Sequence, residues 1–376
     1  MTSLLFNRLH NLMNVIPILL VLGCSKEIIV AQENRLVDTV IVTNSKIIRD
    51  TLSVADSVFQ VIQKYNNPVI PLNAADPSVI KADNGIYYLY ATESALFRNV
   101  PIFKSIDLVN WFFIGTAFTD KSRPTSIDGN LWAPDINKIN GKYVLYYSMS
   151  RWGGEWDCGI GVAVADYPFG PFHDYAKLFD SKQIGVLNSI DPFYIEDNGE
   201  KYLFWGSHHG IYGIQLAKDG LSLKKGAEIT KIAGDGGEGT YIHKRGGYYY
   251  LFLSYGSCCN GVSSTYRVRI GRSRNLFGPY LDKKGNAMLE NGGTYLLQGN
   301  AFAAAPGHNA EIVTDDNGED WLLYHGYLYS NPQLNRVVFL DRIIWSDNWP
   351  TMPGAPSASS RIPYFGQLNE EYGNGN

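Results

Sequence analysis

Ala75-Asp76-Pro77-Ser78-Val79, followed after a short polar stretch by Gly85-Ile86-Tyr87-Tyr88-Leu89-Tyr90, is the passage on which the fold turns. Its second half is a short aromatic run of the kind that suits a pleated sheet, and the glycine before it supplies a tight turn. The implied unit is strand, turn, strand. The pattern recurs four times. Ala133-Pro134-Asp135-Ile136 precedes Gly141-Lys142-Tyr143-Val144-Leu145-Tyr146, and Ile190-Asp191-Pro192-Phe193 precedes Gly199-Glu200-Lys201-Tyr202-Leu203-Phe204. Glu238-Gly239-Thr240-Tyr241 leads to Gly246-Gly247-Tyr248-Tyr249-Tyr250, and Gly307-His308-Asn309-Ala310-Glu311 leads to Gly318-Glu319-Asp320-Trp321-Leu322-Leu323-Tyr324. The polar residues that open the copies, Asp76, Asp135, Asp191, Glu238 and His308, are 59, 56, 47 and 70 residues apart. Such periods, with at least two strands each, suit propeller blades. Five copies predict an all-β, five-bladed β-propeller spanning 67–355.

Composition agrees with that reading. Among 376 residues there are 25 Tyr, 17 Phe and 8 Trp against 18% charged residues, which excludes disorder, coiled coil and collagen. The 38 Gly and 17 Pro punctuate many short strands. With 32 Lys and Arg against 36 Asp and Glu, the net charge of −4 offers no basic footprint for nucleic acid. A neutral polar partner is expected.

The chain opens with Arg8 and His10 before an apolar run, 12–22, interrupted by Asn14 and Pro17 and too short to span a bilayer. It reads as a signal peptide covering 1–23. Val21-Leu22-Gly23-Cys24 resembles the lipobox of bacterial lipoproteins, which makes Cys24 the expected lipidated residue. Ser25-Lys26-Glu27 resembles a short acidic signal that sends Gram-negative lipoproteins to the outer face of the outer membrane. Residues 24–66 are expected to be a tether, with a short helix suggested by the spacing of Val54, Val58, Phe59, Ile62 and Tyr65. A surface tail is expected over 356–376.

The innermost strand of each propeller blade faces the central channel, so one polar residue per copy would converge there. Three of those residues, Asp76, Asp191 and Glu238, are isolated carboxylates among apolar and small neighbours. A carboxylate on a desolvated wall is costly unless it is paired, hydrogen-bonded or functional. Two such groups flanking a glycosidic bond can supply a general acid and a base or nucleophile, and a third nearby keeps the acid protonated. Asp135 occupies the corresponding place in the second copy and is a competitor for a structural or substrate-contacting role.

These pieces resemble glycoside hydrolase family 43, and within it the arabinan endo-1,5-α-L-arabinanases. The resemblance covers about 67–350 and is carried by Ala75-Asp76-Pro77-Ser78, Ser105-Ile106-Asp107-Leu108-Val109-Asn110-Trp111, Leu131-Trp132-Ala133-Pro134-Asp135, Ile190-Asp191-Pro192 and Glu238-Gly239. Further pieces are Ser257-Cys258-Cys259, Ser264-Thr265-Tyr266-Arg267, Gly271-Arg272-Ser273 and Gly307-His308. The resemblance implies an inverting hydrolase of arabinan with Asp76 as general base, Glu238 as general acid and Asp191 as the residue that tunes and orients the acid. Inversion would place the carboxyls of base and acid about 6.5 to 9.5 Å apart. The resemblance also implies a central calcium ion with His308 as its protein ligand and water elsewhere; His325 is expected to pack or to support that centre.

Furanose rings offer apolar faces, so aromatic platforms are expected along a groove. Trp132 and Trp152, the latter in Arg151-Trp152-Gly153-Gly154-Glu155-Trp156, are the candidate sugar contacts, with Asp135 as a polar one. The spacing of Cys158, Cys258 and Cys259 is not that of a zinc site, and either an adjacent-cysteine disulfide or a bridge to Cys158 is compatible with it. Two other functions remain open to the sequence: exo-action or another pentosan, and non-catalytic glycan capture.

Overall fold

The aromatic runs are the second strands of five antiparallel sheets in a computed structural model that describes residues 37–43, 46–52 and 63–366. Strands β1 (Val37–Thr43) and β2 (Lys46–Leu52) pair as a hairpin in a separate unit, 1–63. The body starts with β3 (Lys64–Asn66). Blade one is β4 (Ser78–Lys81), β5 (Tyr87–Tyr90), β6 (Pro101–Ser105) and β7 (Phe112–Thr116). Blade two is β8 (Asn130–Ile139), β9 (Lys142–Ser150), β10 (Gly159–Ala165) and β11 (His173–Asp180), followed by one helical turn, α1 (Ser181–Ile184). Blade three is β12 (Phe193–Asp197), β13 (Glu200–Trp205), β14 (Ile211–Gln215) and β15 (Thr230–Ala233). Blade four is β16 (Gly237–Arg245), β17 (Tyr248–Tyr255), β18 (Arg267–Ser273) and β19 (Thr294–Leu297). Blade five joins β20 (Ala303–Gly307), β22 (Asp320–Leu328), β23 (Val337–Ser346) and β24 (Trp349–Thr351), with β21 (Val313–Thr314) also on β22. The five-bladed propeller is therefore the architecture.

The turn glycines explain the repeating pattern. Gly85, Gly141, Gly199, Gly247 and Gly318 lie at φ of 80°, 81°, 78°, 76° and 77°, a region that other residues enter only at a cost. The strands that follow are covered on both faces by neighbouring blades, so they read as continuous apolar runs rather than alternating ones. Every residue of β5 and β22 is buried. The core accordingly lies in layers between blades. Tyr88 and Tyr90 meet Leu145 and Tyr147, and Tyr146 and Ile160 meet Leu203 and Trp205. Phe204 meets Tyr241 and Leu251 in a layer that continues to Leu322 and Phe339, and Leu323 and Leu340 close onto Val79 and Leu89.

Closure uses both ends of the body. β25 (Ser359–Arg361) pairs antiparallel with β3. The Asn67 side chain donates to Leu340 O at 3.0 Å and accepts from Leu340 N–H at 2.9 Å, and the Tyr65 hydroxyl also donates to Leu340 O. The compact body thus takes in Lys64–Asn66 ahead of the blades, and Ser359–Arg361, within the segment expected to be a surface tail, pairs with β3. Tyr65, expected at the end of a short helix, is a buried strand residue; the rest of that helical spacing, the signal peptide and Cys24 lie outside the described residues. Among the described residues, no helix is long and apolar enough to cross a membrane.

Candidate active site

A left-handed residue recurs where each innermost strand begins or bulges. Asp76, Ala133, Asp191, Gly239 and His308 have φ of 54°, 40°, 59°, 63° and 43°. The N–H of each is accepted by a side chain from the preceding blade. Thr92 Oγ1 accepts from Ala133 at 2.8 Å, Ser148 Oγ from Asp191 at 2.9 Å and Ser254 Oγ from His308 at 2.8 Å. His325 Nδ1 accepts from Asp76 at 3.1 Å and so carries the ring from blade five back to blade one. Between blades three and four the acceptor is Asp191 Oδ2 itself, 3.2 Å from Gly239 N. The structure therefore corrects the register of the repeat. Asp76, Asp191 and His308 share one position, whereas Glu238 stands one residue before it and Asp135 two residues after its counterpart Ala133.

Each of the three predicted carboxylates has its own environment. Burial alone would raise the Asp76 carboxyl, but Arg336, with Nη1 3.4 Å from Oδ1, and His308, with Nδ1 3.2 Å from Oδ1, hold it well below the usual carboxylate range. Thr92 Oγ1 donates to its Oδ2 at 2.6 Å. Asp191 is the opposite case. Burial, with His308 in partial opposition and the charges of Glu238 and Asp76 adding to it, pushes its carboxyl up to about 7. Glu238 accepts from the Tyr266 hydroxyl at Oε1, 2.7 Å, and from the Ser207 hydroxyl at Oε2, 2.5 Å.

The histidines divide similarly. For His308, burial acts downward, but Asp76 and then Asp191 and Glu238 outweigh it and lift the imidazole to about 9. Burial takes His325 down to about 4, so it is neutral and free to accept the Asp76 N–H, with the Tyr266 ring stacked at 5.7 Å. It is thus a support for the centre, as expected.

Trp132 and Trp152 do come together, their rings 5.5 Å apart at 51°, and Trp152 is 75% exposed beside a half-exposed Trp156. Asp135 does not join them. It is buried and accepts from Tyr194 N–H at 2.8 Å and from the Asn137 amide at 2.7 Å, tying blade two to blade three. Burial first and the adjacent Glu311 second raise its carboxyl well above the usual range. Its carboxyl is thus engaged between blades two and three, at the place the corrected register gives it. Cys258 and Cys259 form a disulfide with each other, while Cys158 is buried and unpaired.

The Tyr266, Ser207, Thr92 and Arg336 contacts were not assigned from the sequence. One signal was present: Thr92, Ser148 and Ser254 each stand seven residues after their turn glycine, Gly85, Gly141 and Gly247, a hydroxyl where packing alone would place an apolar residue.

Gly239 lets the His308 ring approach, since a Cβ there would lie 3.0 Å from His308 Cγ, and three carboxylates surround that imidazole. Among the described residues, no three His, Cys, Asp or Glu side chains are grouped to hold a metal. With its imidazole lifted to about 9, His308 holds a proton that a metal ion would have to displace, and such an ion would take its remaining ligands from water.

The sequence profile of glycosyl hydrolases family 43 matches residues 65–350. The chain is 35% identical over 289 residues to the extracellular endo-α-(1→5)-L-arabinanase 1 of Bacillus subtilis, covering 73% of this chain and 86% of that protein. It is 34% identical over 306 residues to the extracellular exo-α-(1→5)-L-arabinofuranosidase ArbA of Cellvibrio japonicus, covering 73% and 85%. The structure of Cellvibrio cellulosa α-L-arabinanase complexed with arabinohexaose superposes with a TM-score of 0.67 at 31% identity, covering 75% of this chain and 95% of that one.

Proposed function

Because the chain belongs to glycosyl hydrolases family 43, we propose that it hydrolyses internal α-1,5-L-arabinofuranosidic bonds of arabinan with inversion at the anomeric carbon. The observation that carries this reading is the divergence of Asp76 and Asp191 within one centre: Asp76 is held ionised while Asp191 is pushed up to about 7. An ionised Asp76 is fit to accept a proton as general base, and a raised Asp191 is fit to tune the neighbouring acid Glu238 rather than to add a second charge beside it. Asp76 takes a proton from water as that water attacks the anomeric carbon. Glu238, fixed between Tyr266 and Ser207, gives its proton to the departing glycosidic oxygen as the carbon–oxygen bond breaks. Asp191 holds the Gly239 amide and thereby the backbone next to Glu238. His308 would hold a hydrated calcium ion, which would offset the negative charge of the carboxylates. Trp132 and Trp152 supply the apolar platform for furanose faces.

Exo-action is the second reading, favoured by the relative that bears that name. A time course on linear arabinan, branched arabinan and arabinoxylan separates the possibilities. Mixed short oligosaccharides from linear arabinan at early times are expected; arabinose or one fixed product from the outset would establish exo-action, and no product would leave glycan capture. Two relatives are named extracellular, and with the Gly23-Cys24 pattern this supports display on the outer membrane through a lipid on Cys24. Protease treatment of intact cells tests that placement, since a surface enzyme is cleaved and an internal one is not.

A further inference from the structure

The loop Ser207-His208-His209-Gly210 joins β13 to β14, and the reaction described above makes no use of its histidines. His208 Nε2 lies 3.3 Å from Glu238 Oε2; the His208 side chain is 49% exposed, that of Glu238 10%. The backbone fixes this approach. His208 is left-handed at φ 60°, its N–H donates to Gly237 O at 3.0 Å, and its carbonyl accepts from Gly236 N–H at 2.8 Å. These bonds tie the loop to the start of β16, immediately before Glu238. Other charged groups around the loop are occupied: His209 Nε2 is 3.5 Å from Glu155, and Lys231 reaches over Gly210 and pairs with Asp235.

The other two groups that hold the Glu238 carboxylate, the Ser207 and Tyr266 hydroxyls, belong to buried residues. His208 is the described partner of Glu238 that is open to water and whose ring nitrogens can both accept and donate a proton. That combination answers a requirement of the reaction. An inverting hydrolase finishes each turnover with its acid deprotonated and its base protonated, so a proton must return to the acid before the next cycle.

We propose that His208 is a positioning residue of the acid, through which solvent protons return to Glu238 between turnovers. This rests on Glu238 being the acid. In the step, a protonated His208 loses the Nε2 proton to the Glu238 carboxylate, an N–H bond breaking as an O–H bond forms. The neutral imidazole then takes a proton from solvent, and Asp76 releases its own proton to solvent, so charge and atoms balance over the cycle.

The test compares His208→Gln with the wild-type protein on two substrates: arabinohexaose, whose leaving group needs a proton, and a dinitrophenyl arabinotrioside, whose leaving group does not. The expected result for His208→Gln is a loss of about tenfold or more in kcat on arabinohexaose, with KM within twofold. The loss deepens as pH rises, added imidazole recovers it, and cleavage of the aryl substrate stays within twofold. Equal losses on both substrates, a change in KM alone, or full kcat on arabinohexaose would overturn the proposal. His208→Asn, with its melting temperature recorded, provides the same comparison if the glutamine variant does not fold. A wild-type protein that cleaves neither substrate would overturn the underlying reading of Glu238 and this proposal with it, whereas normal wild-type activity with an unaffected variant overturns the proposal alone.

Discussion

Asp76 and Asp191 are the same residue type at the same position of the repeat, both with left-handed backbone, yet their carboxyls are driven in opposite directions. Both are buried, but Arg336 and His308 outweigh burial at Asp76, whereas at Asp191 burial prevails over His308 and the charges of Glu238 and Asp76 add to it. The carboxylates themselves were legible, because an acidic residue in a run of apolar and small ones demands a reason. Their partners were less so, since Tyr266 reaches Glu238 from the stretch just before β18 and Arg336 reaches Asp76 from across the ring closure, at separations that no local pattern encodes. Glu238→Gln keeps the shape of the side chain and its acceptor toward Tyr266 but has no proton to give. It should lower kcat on arabino-oligosaccharides by about 10²–10⁴-fold, measured by reducing-end release, with the melting temperature little changed. Undiminished release would remove Glu238 from the mechanism.

The element that builds the site is the innermost strand with its left-handed residue, pinned by a side chain from the blade before. The repeat itself was visible in the sequence, but its register was not, because aligning the copies by their polar residues puts Asp135 and Glu238 level with Asp76. The N–H contacts show that Ala133 and Gly239 hold that place. Asp135 then falls on the strand proper, buried beside Glu311, which accepts from the Ser78 hydroxyl at 2.7 Å and from Val79 N–H at 2.6 Å. Burial raises both carboxyls, and their proximity adds to the rise for Asp135. A carboxyl raised in the folded state favours folding fully below its unfolded pKa and loses that advantage as pH climbs through the folded value. Wild-type stability should therefore decline toward alkaline pH. Asp135→Asn, which retains an acceptor for Tyr194 N–H and cannot ionise, should melt within a degree or two of wild type near pH 5 and several degrees higher near pH 9. Parallel melting curves across that range would show that the pair carries no such cost.

At the level of the whole molecule, five blades of unequal length enclose one centre to which four of them contribute: Asp76 from blade one, Asp191 and Ser207 from blade three, Glu238 and Tyr266 from blade four, and His308 and Arg336 from blade five. Five-fold repetition was legible because each blade needs a glycine turn and a strand buried on both faces. Closure was not, since pairing β3 with β25 depends on two short segments without repeat character. The central cation also belongs to this scale, because it would stand among blades rather than within one. Chelation should reduce hydrolysis and lower the melting temperature, calcium should restore both, and His308→Ala should respond to neither treatment; a wild-type protein indifferent to chelation would remove the ion from the centre. The most direct test of the central claim is the anomeric form of the sugar first released from linear arabinan, followed by proton NMR before mutarotation. Asp76 activating water opposite a leaving group protonated by Glu238 predicts that the β-anomer appears first, whereas initial release of the α-anomer would contradict the account.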